Sequence, residues 1–253
     1  MYFFYRLFSF ICSALVVSFF YFQFKDPFDY PYIVLIGVVI VPVAAILMAR
    51  KRITYYDLLE KMLPLFVLLG VLVFAMLLAE KDLVRWMIII VGGGSTFISL
   101  ELLYYLIFMP SRYPVHGLAK MNIVYVPFIV WYFVSTSVGL MTFLHSSAWI
   151  HVVVMFLLGI LIFRTTGHPE ATKEQNRRWM FIGGLVGLHL GLLNVMLPIS
   201  MLVQGAFSML ILGMILRMRR YLYHPIPSKY QAWAEGVVAI IMIVIVMSTT
   251  RWL

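Results

Sequence analysis

The chain has 253 residues, 64% of them hydrophobic and 11% charged, with a formal net charge of +9 and a mean hydropathy of +1.01. A soluble domain carries roughly 25% charged residues, so this composition excludes a water-soluble globule. The basic excess lies in short connections between apolar runs, which points to anionic lipid head groups and away from nucleic acid.

The first apolar run, from Met1 to Phe24, has one early base, Arg6, and aromatics where a cleavage site would need small residues. It reads as a retained span and not as a signal peptide. Further runs place spans near 3–23, 31–49, 61–79, 86–109, 122–144, 148–164, 178–195, 199–216 and 232–250. Two of these divisions split longer runs, at His145-Ser146-Ser147 and around Pro198, because each undivided run exceeds the roughly 20 residues of one crossing. Tight hairpins are expected there. Asp57 and Glu60 suit a capping box opening the third helix, and Pro169-Glu170 suits a short interfacial helix. His224-Pro225-Ile226-Pro227 forbids helix before the ninth span, which opens on Glu235, an acid that suits a helix N-terminus. Pro42, Pro64 and Pro127 fall inside spans and should kink them.

Fifteen of the 19 Lys and Arg residues fall on one side of this map; Lys25, Lys81, Arg85 and Arg251 fall on the other. Bases are retained in the cytoplasm, so the rich side is inside. The expected fold is all-α: a polytopic transmembrane helical bundle of about nine spans, with the N-terminus inside and the C-terminus outside. It fills residues 1–253 as a single integral-membrane domain, in a cell membrane and most simply a prokaryotic plasma membrane. Cys12 is the sole cysteine, which removes disulfide frameworks and cysteine-rich metal sites.

Gly183, Gly187 and Gly191 recur every four residues in the seventh span and form a ridge without side chains, the arrangement helix packing in lipid favours. Gly92, Gly93 and Gly94 in the fourth span offer a counterpart, marking a close crossing, a bend or a ligand contact.

Glu101, deep in the fourth span, is the most informative residue, because a carboxylate there is costly unless protonated, paired or hydrated. Counting about 1.5 Å per residue, Glu101 lies about 12 Å from the inner end and His189 about 16 Å. The two form a candidate proton-exchange pair, although His189 points away from the glycine ridge. His145, His151, Asn194 and Gln204 make a candidate polar layer toward the outer face. Arg217, Arg219, Arg220, Tyr221 and Tyr223 read as an interfacial girdle.

The sequence contains neither HExxH nor GxSxG, so zinc-protease and nucleophile-elbow chemistry lack their groups. No metal site and no cofactor are assigned. The first functional reading is a carrier or permease-like protein for a small solute, with proton exchange at Glu101. One alternative is a membrane-embedded enzyme on a lipid or lipid-linked substrate; another is a structural or assembly subunit with membrane-protein partners. The enzymatic reading is the less favoured.

Overall fold

Long apolar runs leave the backbone one economical way to satisfy its polar groups without water, which is to bond within helices. The computed structural model describes residues 2–26, 31–49, 53–167, 172–221 and 229–248. Among these the chain forms nine α-helices and one 3-10 turn, with no strand. In order they are α1 (Tyr2–Lys25), α2 (Pro31–Ala49), α3 (Tyr55–Leu78), α4 (Asp82–Phe108), the 3-10 turn Pro110–Arg112, α5 (Gly117–Leu144), α6 (Ala148–Thr165), α7 (Lys173–Met196), α8 (Met201–Tyr221) and α9 (Lys229–Ser248). Among the described residues, stretches in seven of them, α1 and α3 to α8, are long and apolar enough to cross a membrane; Val38–Ala49 and Gly236–Val246 are shorter apolar stretches of α2 and α9.

Both expected breaks are present. The chain leaves helix at residues 145–147, where His145 has φ 51°, and again at 197–200 around Pro198. Pro42, Pro64 and Pro127 lie within helices as expected. Several helices begin earlier than the apolar runs, and in α3 and α7 the polar first turn carries a side-chain cap. In α3 the cap is Thr54 and not the Asp57–Glu60 pair: Thr54 Oγ1 accepts from Asp57 N at 3.2 Å. In α7 Thr172 and Gln175 form a full capping box. The Pro169-Glu170 and His224–Pro227 segments and the Glu235 side chain lie outside the described residues.

The chain divides into two units, residues 1–125 and 126–253, with the division inside α5. In the first unit α1 runs antiparallel to α4, and Gly92 and Gly93 let it approach closely. A Cβ on Gly92 would overlap the Phe20 ring, and one on Gly93 would overlap Val17. Gly94 faces open space, and α4 continues through all three glycines, so the triplet marks a close crossing. Ser13 Oγ donates to Gly93 O at 2.9 Å across this contact, and Gln23 Nε2 donates to Val73 O at 3.0 Å. Leu65, Leu68, Leu69 and Leu72 of α3 and Leu100 and Leu103 of α4 are fully buried. Tyr125 OH donates to Ser95 O at 3.0 Å, which leaves Ser99 Oγ as the donor in the 2.6 Å bond between the two hydroxyls.

In the second unit the ridge of Gly183, Gly187 and Gly191 packs on α6. A Cβ on Gly187 would overlap the backbone carbonyl of Met155, and one on Gly159 would overlap that of Gly183. The two helices are joined by a short connection, so α6 is the neighbour the chain delivers first, and Gly159 supplies the matching gap. Gly205 of α8 likewise sits against Trp131 and Ser135 of α5, where a Cβ would come within 2.6 Å of Trp131 O. Arg219, expected in an interfacial girdle, is instead buried: Nη1 donates to Phe163 O at 2.9 Å, Nη2 donates to Asn176 Oδ1 at 2.8 Å, and the guanidinium lies over the Phe163 and Trp179 rings. Tyr223 lies outside the described residues.

Candidate functional site

Two polar constellations sit on this scaffold, one in each unit. In the first, Glu101 is held on α4 with its carboxylate toward α1. Arg6 Nε donates to Glu101 Oε1 at 2.9 Å; the Glu101 side chain is 13% exposed and that of Arg6 50%. The second carboxylate oxygen, Oε2, is buried and unbonded among the described residues. Because α1 starts at Tyr2, Arg6 lies inside a helix and not in a flanking loop, and the antiparallel α1–α4 crossing brings it level with Glu101. A lone charge at depth becomes a cross-helix tie, which lowers the cost of each member. His189 is exposed on α7, with Nδ1 2.7 Å from Leu185 O.

The second constellation lies where α5 and α7 end and α6 and α8 begin. There the two breaks in the chain leave a cavity of about 570 Å³, inside the roughly 300–1,000 Å³ range of small-molecule sites. Asn194 and Gln204, both expected in an outer polar layer, line it together with Thr142, Ser146 and Ser200. Val138, Met141, Phe143, Val195 and Pro198 supply apolar wall. None of the 14 lining residues is charged.

The polar lining is held by specific bonds. Asn194 and Ser208 bond reciprocally: Nδ2 donates to Ser208 Oγ at 3.1 Å, and that hydroxyl lies 3.2 Å from Asn194 Oδ1. Gln204 Nε2 donates to Leu197 O at 2.8 Å and Ile199 O at 3.1 Å, pinning the turn around Pro198. Gln204 Oε1 remains buried without a partner among the described residues.

His151, the third member of the expected layer, is buried on α6, with Nδ1 2.6 Å from Ser137 Oγ. Either tautomer leaves Nε2 unbonded, and Nε2 is buried. His145 is exposed in the turn before α6. Ser135 Oγ and Trp131 Nε1, on the α5 face that meets Gly205, are also buried and unbonded among the described residues.

Sequence reading missed Arg6, Ser137 and Ser208 as partners, together with the Trp131–Ser135 pair. The available signal was the hydroxyl-rich stretch Ser135-Thr136-Ser137 in mid-span, which is unusual in an otherwise apolar run. Among the described residues no group of three His, Cys, Asp or Glu side chains is placed to hold a metal ion. The chain matches no family model, no curated protein and no solved structure.

Proposed function

We propose that this is a nine-span membrane protein, N-terminus inside, that binds and passes a small solute through the cavity at the ends of α5 to α8. The observation that carries the reading is that cavity: it is of ligand size, it is formed where two helix pairs are interrupted, and its two amide side chains, Asn194 and Gln204, are anchored by their own bonds. Nine crossings follow if α2 and α9 complete the set, and the division of basic residues then puts the cavity at the outer face. The basic inner loops meet anionic lipid head groups at the inner face. The membrane in question is the cell membrane of a prokaryote.

In this reading Glu101 is a tie between α4 and α1, and solute binding does not require proton exchange at that residue. The test is solute influx into vesicles reconstituted with the full chain, followed by light scattering after an isotonic shift to small solutes of graded size. At least one solute class should enter faster than in protein-free vesicles, and Ser200→Trp, which fills the cavity, should abolish the difference. Equal rates with and without protein for every solute would overturn the reading.

The Arg6–Glu101 bond favours a second reading, a structural or assembly subunit in which polar residues serve only to join helices. That reading expects Ser200→Trp to be silent in every transport assay and the protein to co-purify with a defined membrane partner.

A further inference from the structure

We propose that the cavity admits small uncharged molecules that carry a hydroxyl on a hydrocarbon body, and that Ser146 and Ser200 bond that hydroxyl. This rests on the reading of the cavity as the solute site and gives the solute a chemistry.

Selection against charge follows from what surrounds the space. Four helix ends meet there: Phe143 and Val195 come from the last turns of α5 and α7, and Ala148 and Met201 from the first turns of α6 and α8. A helix carries roughly half a positive charge at its N-terminus and half a negative charge at its C-terminus, so two ends of each kind sum to no net charge. The lining side chains add none. An ion of either sign would leave water and meet no counter-charge, a cost that a neutral molecule escapes.

The polar groups of the wall differ in whether a ligand can reach them. Asn194 and Gln204 are only 2% and 3% exposed, and their bonds to Ser208, Leu197 O and Ile199 O hold α7 to α8 and the turn between them, so they shape the cavity from behind. Thr142 is exposed, but its hydroxyl donates to Val138 O at 3.0 Å within α5. Ser146 and Ser200 are exposed, line the cavity and stand one on each break in the chain. A serine hydroxyl both donates and accepts, which makes an alcohol its complement. Val138, Met141, Phe143, Val195 and Pro198 give the hydrocarbon body an apolar seat.

Met141 and Met201 line the cavity and give it built-in reporters. The full chain, labelled with ¹³C-methyl methionine and held in phosphatidylcholine nanodiscs at neutral pH, is titrated with phenethyl alcohol, ethylbenzene, phenethylammonium and phenylacetate, which differ only at the polar end. Concentrations are expressed in the membrane phase from measured partitioning, and the two methyl signals are assigned with Met141→Leu and Met201→Leu. The alcohol should shift both methyls at about tenfold lower concentration than ethylbenzene, the worth of one net hydrogen bond. Both ions should leave them unmoved at concentrations at which the alcohol saturates. Ser146→Ala combined with Ser200→Ala should bring the alcohol down to the level of ethylbenzene, whose own binding should persist; the alcohol–hydrocarbon comparison on the unaltered chain does not depend on how that variant folds. Equal binding of alcohol and ethylbenzene, or a difference that survives the double variant, overturns the assignment of the two hydroxyls and leaves the cavity a binding site. Binding of either ion at the alcohol's level overturns the selection for uncharged molecules. Silence of both methyls toward all four compounds removes the solute site itself.

Discussion

Replacing Gly187 by Ala adds one methyl group where the α6 and α7 backbones approach closely. The new Cβ overlaps the Met155 carbonyl oxygen and comes within 3.0 Å of its carbon and 3.4 Å of Gly159 Cα. All three atoms are backbone, so no rotamer change relieves the overlap and the helices must part. A gap of about 0.5–1 Å forfeits a quarter to a half of each contact it opens, and overpacking of this kind costs about 1–3 kcal/mol. Taking the upper end, because backbone yields least, and subtracting the gain of about 1 kcal/mol for Ala over Gly in a helix, the net loss is about 2 kcal/mol. Gly94→Ala is the internal control: a Cβ there meets nothing within 4 Å, so only the propensity term acts and the protein gains about 0.5–1 kcal/mol. Unfolding from mild micelles by rising mole fraction of sodium dodecyl sulfate, followed by tryptophan fluorescence, should order the proteins Gly94→Ala, wild type, Gly187→Ala. If Gly187→Ala resists the detergent as well as wild type does, the backbone contact between α6 and α7 is wrong.

Arg219→Lys keeps the charge but loses the forked donation to Phe163 O and Asn176 Oδ1, and should cost about 2 kcal/mol in the same assay, given that bonds to charged groups are worth about 1.5–3 kcal/mol each; an effect indistinguishable from wild type would return Arg219 to the surface. Arg6→Gln alone should lower the yield of monodisperse protein, and adding Glu101→Gln should restore it, since the double variant buries no unpaired carboxylate; size-exclusion profiles that worsen in the double variant would count against the tie. In a Cys12→Ser background, Ser146→Cys should react with a membrane-impermeant maleimide on intact cells, and Ser111→Cys only after permeabilisation. The reverse pattern would invert the topology.

Helix positions were legible because the bilayer allows few alternatives: a run of apolar residues of crossing length is a helix, and His145–Ser147 and Pro198 could only be breaks. Helix starts were less legible, since Thr54 and Thr172 act through the geometry of a cap that lies outside the hydropathy signal. The glycine ridge of α7 was plain from its spacing, but a smooth surface does not name its neighbour. Its partner, Gly159, is a lone glycine with no repeat around it, and only the approach of α6 gives it meaning. Glu101 stood out as an acid at depth, while Arg6 was counted among the topology-setting bases; that they meet depends on the antiparallel α1–α4 crossing, a long-range fact. Asn194 and Gln204 were placed at the correct turn, but what they bond to, and the oxygen that Gln204 leaves over, follow from atomic positions alone. Arg219 shows the same limit, because composition marks an interfacial arginine and packing decides whether it faces head groups or the carbonyl at a helix end.

The glycine contact between α6 and α7 bears on how the second unit is built. Side chains that pack must give up rotamer freedom, and in lipid there is no release of water to offset that loss. Glycines have no rotamers to freeze, so the α7 ridge adds no side-chain entropic cost to the α6–α7 hairpin, and the side chains ordered against it, Phe163 and Met155 among them, belong to α6. The hairpin is therefore the segment suited to forming first during insertion, as a finished template on which the ends of α5 and α8 come to rest and, with them, the walls of the cavity.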